Sequence, residues 1–191
     1  SAMTPADALQ RASDGFRAVG TQVGDDQWEA PTPCAGWTVR DLVGHVASGS
    51  EMAARLADGA SRNEAIALLG IDHLGDEPLA AVDQALDRQL VAFERPDIGV
   101  HVFHHPAGDM PGAQVINFRI GDLLVHQWDL ARAIGADETL DPSVVQLVWD
   151  GIQPMLPMMS SVGVFGDGPS GMVGDDAPLQ LRLLDAMGRR P

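Results

Sequence analysis

The stretch from Asn117 to Gly135, NFRIGDLLVHQWDLARAIG, constrains the chain more than any other. Good helix formers dominate its second half, and Gly135 supplies a C-terminal stop. Asp122 and His126 stand four residues apart, so their side chains stack on one face, one turn from each other. Val115, Phe118 and Ala133 are expected on that same face. A carboxylate and an imidazole on an apolar stripe are costly to bury unless something pairs with them. Three arrangements meet that cost: an Asp–His hydrogen bond in the core, an exposed helical pair, or two ligands of a divalent metal.

The same periodicity organises the rest. Thr4-Pro5 starts a helix to about Gly20, with Ala8, Leu9, Ala12, Phe16 and Val19 inward. Asp25 to Gly36 is a loop flanked by Trp28 and Trp37, which are read as pinning it to the core. Thr38 to Asp41 resembles a capping box and opens a helix to about Ala57. Its apolar stripe is Leu42, Val46, Gly49, Met52, Ala53 and Leu56, and His45 sits in the middle of it. A lone histidine there is more often a satisfied core residue than a ligand. A short helical piece around Glu64 to Leu69 precedes a third long helix, Pro78 to about Glu94, ended by Arg95-Pro96. The fourth is the Asn117 stretch, beginning near Gly112 to Gln114. Asp141-Pro142 opens a fifth to about Gln153, limited by Pro154 and Pro157.

Between the third and fourth helices, Gly99 to Gly112 has some strand character and carries His101, His104 and His105. It reads as a polar surface loop or cleft rim, with a His-rich metal tract as the alternative. Ser160 to Ala177 reads as irregular, and a short helix from Leu179 to Met187 closes the chain. The expected fold is all-α: a helical bundle over residues 4–140 and a helical C-terminal extension packed on it over 141–191. Ser1-Ala2 before Met3 looks like a cloning scar, and residues 1–3 are set aside.

Charge narrows the partners. The 191 residues carry 27 acidic against 12 basic side chains, a formal net charge of −15 with no basic cluster to offset it. Nucleic acid and anionic membranes are therefore poor partners, and a homodimer is compatible with the composition. The single cysteine, Cys34, cannot form an internal disulfide, no apolar run approaches a membrane span, and no signal peptide is evident. The expected compartment is the cytoplasm.

Two weak features reinforce one another. His45 and the Asp122/His126 pair each lie on the inward face of a long helix, and bundle cores are where facing helices pool metal ligands. Two histidines and one carboxylate leave coordination positions open. Asp129, one turn beyond His126, is either a fourth ligand or an acceptor for an imidazole N–H. Arg119 reads as a surface charge, with a role toward an anionic group as the alternative. Cys34 reads as a small buried hydrophobe, with a nucleophilic or redox role as the alternative.

Two motifs carry a resemblance. TPCAGWTVRDLVGHV, Thr32 to Val46, and DLLVHQWDLARA, Asp122 to Ala133, resemble the metal motifs of the mycothiol-dependent maleylpyruvate isomerase family. That family belongs to the DinB-like four-helix-bundle superfamily. The ending, Asp176 to Pro191, resembles a shorter actinobacterial branch described only as metal-binding. The resemblance implies a divalent metal, zinc first and nickel or another ion second, held by His45, Asp122 and His126. It also implies mycothiol as co-substrate and a small electrophile as substrate. The isomerase itself has glutamate in place of Asp122 and a larger second domain, so the resemblance implies metal and thiol rather than the isomerase's own substrate. The expected function is a metal-dependent thiol transferase or isomerase. A metal-dependent hydrolase and a non-catalytic metal- or ligand-binding module are the alternatives.

Overall fold

Three capping boxes start three helices. In each, a hydroxyl accepts the backbone N–H three residues on, while an acidic side chain accepts the N–H of the cap: Thr4 with Asp7, Thr38 with Asp41, and Ser61 with Glu64. The computed structural model of the chain describes residues 2–162 and 168–191. Its elements are α1 (Pro5–Gly20), α2 (Val39–Ala57), α3 (Arg62–Ala67), α4 (Pro78–Phe93), β1 (Val102–His105), β2 (Gly108–Pro111), α5 (Gly112–Ile134), α6 (Pro142–Ile152), α7 (Leu156–Val162) and α8 (Leu179–Ala186). The chain is mostly helical. Among the described residues no helix is long and apolar enough to cross a membrane.

The residues divide into two compact units, Ser1–Glu138 and Thr139–Pro191. In the first, α2 packs on α4 and α5, and α1 packs on α5 and α4. Each of the four long helices thus meets two others. The side chains that drive this are fully buried Phe16, Leu42, Leu56, Leu86, Ile120, Leu123, Leu124 and Trp128, each contributing about 1.5–3 kcal/mol by leaving water. In the second unit α6 packs on α8. Asp141 caps α6 through Ser143 and Val144, and buried Asp185 accepts from Ser170 and Arg190.

Most of the expected helices are present within a residue or two. Three readings need correction. Phe118 is exposed, because it lies nearly a half-turn from Ile116 and Ile120, which α5 buries instead. The helical piece near residue 64 begins earlier, at Arg62, because Ser61 and Glu64 form a capping box. The His-rich tract is an antiparallel hairpin, Phe103 opposite Met110 and His104 opposite Asp109, with Gly108 in the left-handed region at φ 128°. α6 ends at Ile152, just before Pro154, as expected, and Pro157 sits in the first turn of the separate helix α7, where a missing N–H costs nothing. Part of the Ser160 to Ala177 reading, residues 163–167, lies outside the described residues.

The start of α5 matters for the site. No side chain caps it. Its first N–H groups instead donate to backbone carbonyls, Gly112 to His101 at 2.9 Å and Ala113 to Gly99 at 3.0 Å. This docking presses Gly112 against the Ile98 carbonyl, and a Cβ at Gly112 would collide with that oxygen. Gly112→Ala should therefore destabilise the chain by about 1–3 kcal/mol. Gly20→Ala, whose new methyl would meet only Leu79 at 3.6 Å, should be neutral or stabilising by up to about 1 kcal/mol. Urea midpoints of the two variants check the contrast.

Candidate metal centre

Helix phase brings three side chains to one point. His45 comes from the middle of α2, and Asp122 and His126 from adjacent turns of α5, which packs on α2. One oxygen, Asp122 Oδ1, lies 3.3 Å from His45 Nε2 and 3.2 Å from His126 Nε2. These ligand atoms all fall within 4.8 Å of one another, a group able to hold a metal ion. A tetrahedron with bonds of about 2.0 Å has edges of about 3.3 Å, so the spacing and the donor set both suit a small divalent ion. The His45 side chain is 38% exposed, which leaves the group open on one side.

The other nitrogen of His126 faces the opposite way. Its Nδ1–H donates to Asp129 Oδ2 at 2.9 Å, and Asp129 is 0% exposed. The Cys34 thiol donates to the same oxygen at 3.3 Å and lies 3.9 Å from His126 Nδ1. Cys34, His126 and Asp129 form a second close group of potential ligands. Cys34 is therefore neither deeply buried nor a plain apolar filler. It is held behind His126 because Thr32 Oγ1 accepts its backbone N–H at 3.1 Å in the loop before α2.

Electrostatics follow from this stacking. With no ion bound, burial pushes the Asp122 carboxyl up, but the His126 charge and the Arg119 guanidinium outweigh burial and hold it well below the ordinary value. For His126, burial lowers the pKa, but Asp122 and the hydrogen bonds to Asp129 and Cys34 raise it well above the usual imidazole value. His126 is thus held between the carboxylates of Asp122 and Asp129, both of which favour its charged form.

Two features were not anticipated from sequence. Arg119 is not a surface charge: its side chain is 12% exposed and its Nη1 donates to Asp122 Oδ2 at 3.0 Å. Its spacing of three from Asp122 on one helix was the available clue. Trp37 does more than pin a loop. Its ring centroid lies 4.9 Å from that of His45 and 5.9 Å from that of His126, so it walls the site. The hairpin histidines have other partners: His104 pairs with Asp109 at 3.0 Å, His105 Nδ1 accepts the Ala107 N–H, and His101 stacks edge-on to Phe103. None of them joins a close ligand group among the described residues. Burial, and secondarily the positive charge of Arg119, keeps His105 below the ordinary imidazole value.

Comparison with known proteins adds a family. The family described as mycothiol maleylpyruvate isomerase N-terminal domain matches residues 9–131. Proteins of two strains of Mycobacterium tuberculosis, each named only as an uncharacterized protein, are 35% identical over 176 residues, 92% of this chain and 89% of theirs. Two solved structures share the fold at 18% identity and a TM-score of 0.59: the mycothiol-dependent maleylpyruvate isomerase and a histidine-to-alanine mutant of it. The match covers 74% of this chain and 65% of that one, so the chain spans about two thirds of the isomerase's length.

The ion-free pair has a defined pH window. The raised pKa of His126 gives stability that is complete below about 6.5 and is lost as pH rises through the folded value. The lowered pKa of Asp122 gives stability that is complete above about 3.8 and is lost as pH falls through the folded value. Asp122→Asn should therefore cost the chelator-treated protein most stability between about pH 4 and 6.5. Denaturation of both proteins across pH measures it, and a difference independent of pH would contradict the pairing.

Proposed function

The chain belongs to the mycothiol maleylpyruvate isomerase N-terminal domain family, and from that premise we propose that it is a divalent-metal enzyme of small-thiol chemistry, a transferase or isomerase with mycothiol as co-substrate. In this reading the first unit is a DinB-like four-helix bundle with the metal site in its core. The carrying observation is the convergence of two Nε2 atoms on one carboxylate oxygen at 3.2 and 3.3 Å. The ligands are His45, Asp122 and His126, and zinc best suits two imidazoles and one carboxylate with positions left open. A divalent ion there would lower the pKa of a coordinated thiol or water and hold it as an anion.

The chain's own residues prepare that chemistry. Asp129 holds the Nδ1–H of His126, which fixes the tautomer and turns the Nε2 lone pair toward the other ligands. Trp37 lays an apolar wall beside both imidazoles and limits water on that side. Cys34 bonds the carboxylate behind His126, on the side away from Asp122, which supports a role for it other than nucleophile. In this reading the thiol that reacts is an external one.

Metal analysis after loading tests the site. One ion per chain is expected in the wild type, with loss in His45→Ala and in Asp122→Ala. Asp129→Ala should weaken binding by about 10–100-fold. Because His126 must give up a proton to ligate, uptake should release protons and weaken as pH falls. A His45→Ala protein that loads fully would remove that ligand.

Turnover is tested with a panel of electrophiles, metal-loaded protein, and mycothiol, glutathione or no thiol. Product formation should require mycothiol and should persist in Cys34→Ser. Turnover without any thiol would indicate hydrolysis. Loss of activity in Cys34→Ser with metal retained would make the protein's own cysteine the nucleophile.

A further inference from the structure

The carboxylate that would ligate the ion is not free to choose how it does so. Asp122 Oδ1 faces the two imidazoles, while Oδ2 accepts from Arg119 Nη1 at 3.0 Å. Arg119 is itself fixed from two other helices. Its Nε donates to Gln89 Oε1 on α4 at 2.8 Å, and its Nη2 donates to Ser50 Oγ on α2 at 3.3 Å. The guanidinium passes directly over Gly49, where a Cβ would collide with Nη1. Four elements of the arrangement thus agree: an acceptor on α4, an acceptor on α2, a missing side chain on α2, and the carboxylate on α5.

The arrangement is costly. Gln89 is 0% exposed, and its Nε2 has no hydrogen-bond partner. Turning the amide over would direct its N–H groups at the guanidinium, so Arg119 dictates the orientation that leaves the donor unpaired. A buried unpaired donor costs about 1–3 kcal/mol, and an apolar side chain at Gln89 would avoid that cost but abandon the Arg119 Nε. The polar cluster therefore serves the guanidinium rather than the packing of α4.

We propose that Arg119 is a positioning residue that restricts Asp122 to one ligating oxygen and so makes the site select a four-coordinate ion such as zinc over manganese. The inference rests on the metal reading above. Zinc takes four nitrogen, sulfur or oxygen donors in a tetrahedron. Manganese suits carboxylate, carbonyl and water donors in an octahedron. A carboxylate with both oxygens turned to the ion can chelate it and add a donor; the Arg119 hydrogen bond draws Oδ2 away, so Asp122 offers one donor and the protein's share of a larger shell is smaller. The guanidinium also matches its partner with a planar fork that lysine would not supply.

The test compares wild type, Arg119→Gln, which removes the fork and the charge, and Gly49→Ala, which displaces the guanidinium and keeps the charge. Zinc and manganese affinities are measured by competition against a chelator, the visible spectrum of cobalt-loaded protein reports coordination number, and circular dichroism confirms the fold. In wild type, cobalt should give the intense absorption of a four-coordinate ion. In both variants the band should weaken toward that of a higher coordination number, and the zinc-over-manganese preference should fall by about tenfold. An unchanged ratio and spectrum in the variants would overturn the proposal. An equal loss for both ions would overturn it too, since that is what loosened packing gives. If Arg119→Gln fails to fold, Gly49→Ala decides alone. A wild type that binds neither ion, or a His45→Ala protein that binds as well as wild type, would remove the metal reading itself and the proposal with it. Failure in the variants over a binding wild type removes only the role of Arg119.

Discussion

The His126 imidazole, gripped at both nitrogens by carboxylates of its own helix, is the constraint around which the site is arranged. Asp129 is wholly buried, and a buried carboxylate without partners would be neutralised or expelled. It is kept by the Nδ1–H of His126 and the Cys34 thiol. Asp122 is kept in turn by His126, His45 and Arg119. Remove the imidazole and two acids in the interior lose their principal counter-charge. The polar content of α5 is thus a connected network in which each member answers the cost of burying the next.

Small residues on α2 make room for that network. Gly49 admits the Arg119 guanidinium, and Ser50 offers it an oxygen. A helix with long side chains at those positions would push α5 outward and separate His45 from Asp122. Helix propensity is given up at two glycines within one helix, by roughly 1 kcal/mol each, and the capping box of Thr38 and Asp41 offsets part of that at the N-terminus.

Much of this was legible in the residues. Helical phase alone put His45 on the inward stripe of α2 and Asp122 with His126 on one face of α5, and the structure brings those three together. Cap-plus-proline and capping-box patterns located the starts of α1, α2 and α6 because those contacts are local. What escaped depends on reach across helices. Arg119 is long enough to touch α2 and α4 at once, and nothing in one helix's periodicity says whether a long side chain turns outward or threads inward. Trp37 and Cys34 come from a loop, where no period exists to assign a face. Of the two roles open to Asp129, its bond to Nδ1 rather than to the shared side of the site supports the supporting one. That distinction is a matter of rotamer, which spacing cannot carry.

The contact between His126 and Asp122 has a further consequence. It holds the imidazole against Asp122 at a distance close to the edge of a coordination tetrahedron. The chain thus holds its candidate ligands at a spacing that a coordination shell would need, with a hydrogen bond where an ion would sit. In the metal reading proposed above, a cation would replace that hydrogen bond instead of gathering ligands from a disordered chain, so the side chains would have little freedom left to lose. This is the opposite regime from small zinc domains, in which binding and folding are one event. In that reading, loss of the cation would leave the helices folded, since apolar packing and caps hold them.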